Sequence, residues 1–128
     1  MITFRNPSDI HSPLASYIHQ AEVNGNARWL VLSAQVGMTK DGHIPEDVFD
    51  QTNIAFDNIV ANLKAADMDI KNLVKLVFYF VGEHDIEKRR AVIKGRLEGH
   101  LPCTTVIFAA GLASPALKVE IEAWACSE

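Results

Sequence analysis

No stretch of this chain approaches the roughly 20 consecutive apolar residues that a membrane-spanning helix requires. The opening residues, MITFRNPSDIH, have neither the basic lead nor the apolar run of a secretion signal, so the cytoplasm is the expected compartment. There are only two cysteines, Cys103 and Cys126, and they form no CxxC pair; reduced thiols are expected. Positive charge is also scarce: Lys and Arg total 12 against 16 Asp and Glu, for a formal net charge of −4. The one basic cluster is Lys88-Arg89-Arg90, so a nucleic-acid partner is disfavoured. The five histidines show no HxH or HxxxH spacing, and no metal site is expected. GxGxxG, P-loop and GxSxG motifs are absent, which leaves nucleotide and serine-hydrolase readings without support.

What is present is one domain's worth of chain. Its 128 residues are 48% hydrophobic and 22% charged, sufficient for a real core. Ile2 to Phe4 fits a short strand, broken by Asn6-Pro7-Ser8. Ser16 to Val23 looks extended and ends at Asn24-Gly25-Asn26, a hairpin signal leading to Trp29–Ser33 as its partner. A helix is predicted from about Pro45 to Ala66, with Val48, Thr52, Ala55, Phe56, Ile59 and Leu63 on one stripe. Leu73 to Val81 reads as a central strand, apolar on both faces. A second helix is predicted from about Asp85 to Glu98, with Ile86, Arg90, Ile93 and Leu97 on one face, Asp85 as N-cap and Gly99 as C-cap.

The last quarter runs from a loop at Pro102 through apolar Val106–Ala110. It turns at Gly111, Ser114 and Pro115 and returns as Val119–Ala125, read as a second hairpin. Period-two alternation places Val119, Ile121 and Ala123 on one face and Glu120, Glu122 and Trp124 on the other. The order β-β-β-α-β-α-β-β predicts an α+β sandwich, a mixed sheet with two helices on one face. Two helices cover one face only. The central strand carries Val74, Leu76, Phe78 and Phe80 on one side and Val77, Tyr79 and Val81 on the other, so a homo-oligomer is expected to cover the second.

Four segments in this order and spacing, over nearly the whole chain, resemble the Rid family, also called YjgF or L-PSP. Pro13-Leu14-Ala15-Ser16-Tyr17-Ile18-His19 resembles its early Tyr segment, and Leu32-Ser33-Ala34-Gln35-Val36-Gly37 its Ser-Gly-Gln strand end. Leu73–Phe80 resembles its Val-Val-Lys-x-x-Val-Phe strand, and Val119-Glu120-Ile121-Glu122-Ala123 its C-terminal signature. The resemblance implies a chorismate-mutase-like (ferredoxin-like β-α-β) fold packed as a homotrimer, with ligand clefts between subunits. It further implies cofactor-free hydrolysis of reactive imines and enamines. In the best-known members an Arg of a Pro-x-Arg motif clamps the substrate carboxylate, a Glu handles water, and the early Tyr lines the pocket.

Carried over residue by residue, Glu120 matches the Glu and Tyr17 the Tyr. Ala34 stands where Gly is usual, and Thr104 stands where the Arg is expected. A threonine offers one neutral hydrogen bond in place of a charged fork, a loss of about 2–4 kcal/mol if nothing compensates. The chain therefore resembles an Arg-less branch, not a standard 2-imino-acid deaminase. Glu120 is either a general base or a paired strand-face carboxylate. Tyr17 is a pocket wall or an interface aromatic, and Thr104 a ligand contact or a loop cap. Arg90, where many members carry Asn, either supplies the missing charge or is solvated. Cys103 is either a nucleophile or a small buried residue, and His19 is expected on the same side as Tyr17. The expected partner is a small metabolite in the cleft. A non-catalytic binding or regulatory trimer is the alternative, and the acidic balance disfavours an endoribonuclease or translation inhibitor.

Overall fold

The computed structural model describes all residues, 1–128. In chain order the elements are strands β1 (Ile2–Arg5), β2 (Gln20–Val23) and β3 (Arg28–Val36), helix α1 (Val48–Ala65), a 3-10 turn (Ile70–Asn72), β4 (Leu73–Phe80), helix α2 (Ile86–Leu97), β5 (Cys103–Phe108) and β6 (Val119–Ser127). The main sheet has the order β3-β6-β4-β5, with β6 antiparallel to both neighbours and β4 parallel to β5. β1 and β2 form a separate antiparallel ribbon. The mixed sheet with its two helices is the α+β architecture the sequence predicts.

Both predicted hairpins are replaced by other pairings. Gly25 does turn the chain, at φ 81°, but β2 pairs back onto β1 (Ile2 with Val23, Phe4 with Ala21), and the Asn24 N–H donates to the Met1 carbonyl. β5 and β6 are not paired. The parallel β4–β5 pair needs a crossover, which α2 supplies, and the Ala109–Lys118 segment then carries the chain back across β4. β6 slots between β3 and β4 because Val119, Ile121, Ala123 and Ala125 on one face are all fully buried. The extended stretch before Gly25 is also shorter than Ser16–Val23; only Gln20–Val23 is strand.

α1 begins at Val48, three residues beyond the expected start at Pro45. Asp47 is its N-cap, its carboxylate accepting from the Phe49 and Asp50 N–H groups at 3.0 Å. The predicted stripe is buried as read from Thr52 to Leu63, and Phe56 meets Phe78 with ring centroids 6.0 Å apart. Burying each such aromatic stabilises the fold by about 1.5–3 kcal/mol. On β4 the alternation slips at one point: a register shift against β6 between Leu73 and Lys75 puts Leu73, not Val74, in the core with Leu76, Phe78 and Phe80. Val74 lies instead beside Trp29, Trp124 and Cys103.

Two close contacts set the geometry at the top of the sheet. A Cβ at Gly37 would lie 2.5 Å from the Cα of Gln51, so only glycine lets β3 run this close to α1. The fully buried Gln51 amide donates to the Pro45 and Ala116 carbonyls at 2.8 and 2.9 Å and accepts from the Lys118 N–H at 2.9 Å. It thereby ties the loop before α1 to the loop that feeds β6.

On α2, Asp85 caps the first turn through the Lys88 N–H, and the left-handed residue at the C-terminus is Glu98, with Gly99 following at φ 86°. The expected face holds at Ile93 and Leu97, which pack on the core, but Ile86 and Arg90 are exposed and Arg89 is buried in place of Arg90. Arg96 anchors α2 to α1, donating to Asp57 at 2.7 Å and to the Asn53 carbonyl at 3.1 Å.

Candidate active site

Cross-strand neighbours share a face of a sheet, so the register assigns each candidate residue. Thr104 stands beside Leu76 and Ala123, on the helix-covered face. Cys103 stands beside Lys75 and Trp124 on the opposite, open face, and Glu120 beside Tyr79 and Ile107 on that same open face. Glu120 and Thr104 therefore cannot meet across one cavity within a single chain.

A groove of about 490 Å³ opens on the helix side between α2, β5 and the segment preceding β2. Tyr17, Thr104, Arg90, Arg89, His100 and Val106 are among its thirteen lining residues. It thus brings together Tyr17, Thr104 and Arg90, and leaves out Glu120, Ala34 and Cys103. The Tyr17 oxygen accepts from the Leu14 N–H at 3.2 Å, and its ring meets His19 edge-on at 5.5 Å. His19 is beside Tyr17 as expected, although these residues are not in a strand. The Thr104 hydroxyl donates to the Pro102 carbonyl at 3.1 Å, the loop-capping arrangement. Its lone pairs face a ligand better than its proton does, so it is a poor anion contact. Arg90 is exposed and pairs with Glu87 at 3.6 Å.

Arg89 is the groove residue that the sequence reading passed over. It is 8% exposed, donates to His84 Nε2 at 3.1 Å, and lies 5.7 Å from the ring centroids of both Phe80 and Phe108. Burial, then the positive charge of Arg89, push His84 below the usual histidine range, so it serves as a neutral acceptor. The one signal that distinguishes Arg89 from its neighbours is helical phase: it lies four residues before Ile93 and eight before Leu97, on the same side of α2.

On the open face, Tyr79 donates to Glu122 at 2.5 Å, and this bond, with burial and the charges of Glu122 and Glu120, pushes its phenol up. Glu120 is half-buried next to it, with no cation within salt-bridge distance. Lys75 donates to Thr105 at 2.8 Å. Burial pushes the Cys103 thiol up, opposed only in part by Lys75, which argues against a nucleophile and for a packing residue. Ala34 lies in the irregular stretch of β3, between Leu32 and Gln35, where pairing with β6 shifts register. The same face leaves large apolar side chains in solvent: Val31 is 63% exposed, Trp29 53% and Ile107 40%. Nowhere do three His, Cys, Asp or Glu side chains gather to hold a metal ion.

A mixed sheet with two helices packed on one face is the architecture of YjgF and other chorismate-mutase-like structures. The chain belongs to the family described as endoribonuclease L-PSP, the Rid or YjgF family, whose pattern it matches over residues 9–127. It is similar to YyfB from Yersinia pestis, a Rid protein of unknown function, at 27% identity with 98% of each chain covered and a TM-score of 0.86. It shares the fold of the YjgF gene product of E. coli (23% identity, 91% of each chain, TM-score 0.73). The same holds for E. coli TdcF, solved with bound serine (22% identity, 98% and 99% of the chains, TM-score 0.72). Among curated proteins none matches significantly. No helix is long and apolar enough to cross a membrane.

Proposed function

We propose that the protein is a Rid-type homotrimer that acts on a small metabolite in clefts between subunits, adding water to a C=N or enamine bond. The observation that carries this reading is the division of the candidate residues between two faces. Tyr17 and Thr104 line a groove on the helix side, whereas Glu120 sits beside Tyr79 and Ile107 on the other. A second copy laid against the open face would cover Val31, Trp29 and Ile107 and could bring its groove to Glu120. That TdcF, a protein of the same fold, holds serine supports a ligand of that size.

In the cleft, the water oxygen bonds to the imine carbon as the C=N π pair moves to nitrogen. The Glu120 carboxylate takes the water proton and returns it to the nitrogen; it then carries the carbinolamine hydroxyl proton to the same nitrogen as the C–N bond breaks, releasing ammonia and leaving a carbonyl. Thr104 in place of an Arg makes the standard 2-imino-acid specificity unsuited to this protein. One observation favours a second reading, ligand binding without chemistry: the Thr104 hydroxyl is already engaged by Pro102. An endoribonuclease role is supported least, since the chain is acidic and its groove cations, Arg89, Arg90 and Lys94, are confined to one helix.

The test is ammonia release from freshly generated imines and enamines, with and without carboxylates, by wild type, Glu120→Ala and Thr104→Arg. Turnover that disappears in Glu120→Ala is expected. No turnover by wild type on any substrate, with 2-imino acids hydrolysed only by Thr104→Arg, would show a scaffold that has left this chemistry, and silence from all three favours the binding module.

A further inference from the structure

We infer that Arg89 is the anion-binding residue of the groove, holding the carboxylate or phosphate of a small organic ligand whose apolar body lies along the wall of α2 and β5. This rests on the groove being the ligand cleft, as proposed above, and moves the lost positive charge from the strand to the helix.

The charge distribution is the first argument. In a chain with more acids than bases, the groove is lined by Arg89, Arg90 and Lys94, with no Asp or Glu among its thirteen lining residues. Pairing is the second. Arg90 is exposed beside Glu87, and Arg96, on the same helix but outside the groove, is bonded to Asp57. Arg89 has no carboxylate partner, although it is the most buried of the three.

Donor accounting is the third. A guanidinium offers five N–H groups, and Arg89 makes one side-chain hydrogen bond, to a neutral histidine. The Phe80 and Phe108 rings, with centroids 5.7 Å from it, accept no conventional hydrogen bond. Burial and the nearby Arg90 both work against its charge. A structural arginine this buried ordinarily has a counter-ion. An anion in the groove would satisfy the remaining donors in the forked geometry that suits carboxylate and phosphate oxygens. Ile93, Leu97 and Val106 offer the apolar wall, and about 490 Å³ suits a small ligand.

The probes are benzoate, phenyl phosphate and neutral benzamide, titrated into the full chain while the Arg89 side-chain N–H resonance is followed, identified by its loss in Arg89→Lys. The expected result is that at least one anion shifts this resonance and binds about tenfold or more tightly than benzamide. Arg89→Met should weaken anion binding about ten- to hundredfold with benzamide unaffected, and Arg89→Lys should fall between. Benzoate against phenyl phosphate then separates carboxylate from phosphate recognition. Should Arg89→Met fail to fold, the wild-type titration still decides. The inference is overturned if benzamide binds as well as the anions, if neither anion binds at millimolar concentration, or if the resonance stays still while they bind. It is also overturned if an octauridylate outcompetes both, which would make the groove an RNA site. Anion binding through Arg89 without ammonia release would reject the hydrolytic chemistry alone. Glu120-dependent ammonia release unchanged in Arg89→Met would reject this inference alone.

Discussion

Replacing Gln51 by Leu tests whether a single buried amide holds the two loops that position β6. The side chain is fully buried and makes three hydrogen bonds, to the Pro45 and Ala116 carbonyls and from the Lys118 N–H. Each such bond contributes about 1 kcal/mol net, and a buried backbone group left without a partner costs about 1–3 kcal/mol. Pro45 is half-buried and Ala116 and Lys118 are exposed, so water reaches part of what is stranded. A loss of about 2–4 kcal/mol is therefore expected, or about 8–16 °C in Tm for a domain of this size. Thr52, next in the helix and equally buried, is the control. Its hydroxyl donates only to the Val48 carbonyl one turn back, at 2.8 Å, so Thr52→Val should cost no more than about 1 kcal/mol. Urea unfolding of both variants at one protein concentration, to hold any association constant, measures the difference. A Gln51→Leu midpoint within about 0.5 kcal/mol of wild type would refute the clasp.

Two further outcomes are expected. His84 titrates lower in the folded chain than its unfolded value, so the unfolded chain binds more protons once the pH drops below the ordinary histidine range. Its contribution is complete above that range and is lost as the pH falls through the folded value; stability followed from pH 8 to 5 should decline less in His84→Gln than in wild type, and parallel curves would count against it. Val31→Asp should leave the circular dichroism spectrum of the fold intact while sedimentation reports a smaller assembly, because Val31 is solvent-exposed on the apolar open face; an unchanged assembly would remove that face from the interface.

The architecture was legible because its strongest signals are periodic. The α1 stripe from Thr52 to Leu63 and the doubly apolar β4 are long enough for pattern to decide them. The strand pairings were not, since Asn24-Gly25 and Gly111–Pro115 mark turns without saying which edge the chain meets next. β6 takes the centre because its apolar face can be buried on both flanks, a tertiary fact invisible in the turn itself. Among site residues, Tyr17 and Thr104 line one groove. Arg89 was missed because a run of three cations reads as a solvated surface, and one residue of helical phase decides which of them turns inward.

That one-residue phase bears on how a member of this family with Thr104 at the start of β5 can retain a ligand. The first residues of β5 present Thr104 to the groove with its proton already donated to Pro102, so the strand wall cannot hold an anion. The facing helix wall carries the buried Arg89, hydrogen-bonded to neutral His84 and flanked by Phe80 and Phe108. A charged group gripped from the helix enters on the opposite wall from one gripped by the strand. Restoring a strand guanidinium in Thr104→Arg would place two cations across one groove. The scaffold can accommodate a change of ligand class without a change of fold, because the residues that select the anion lie on elements that do not pair with one another.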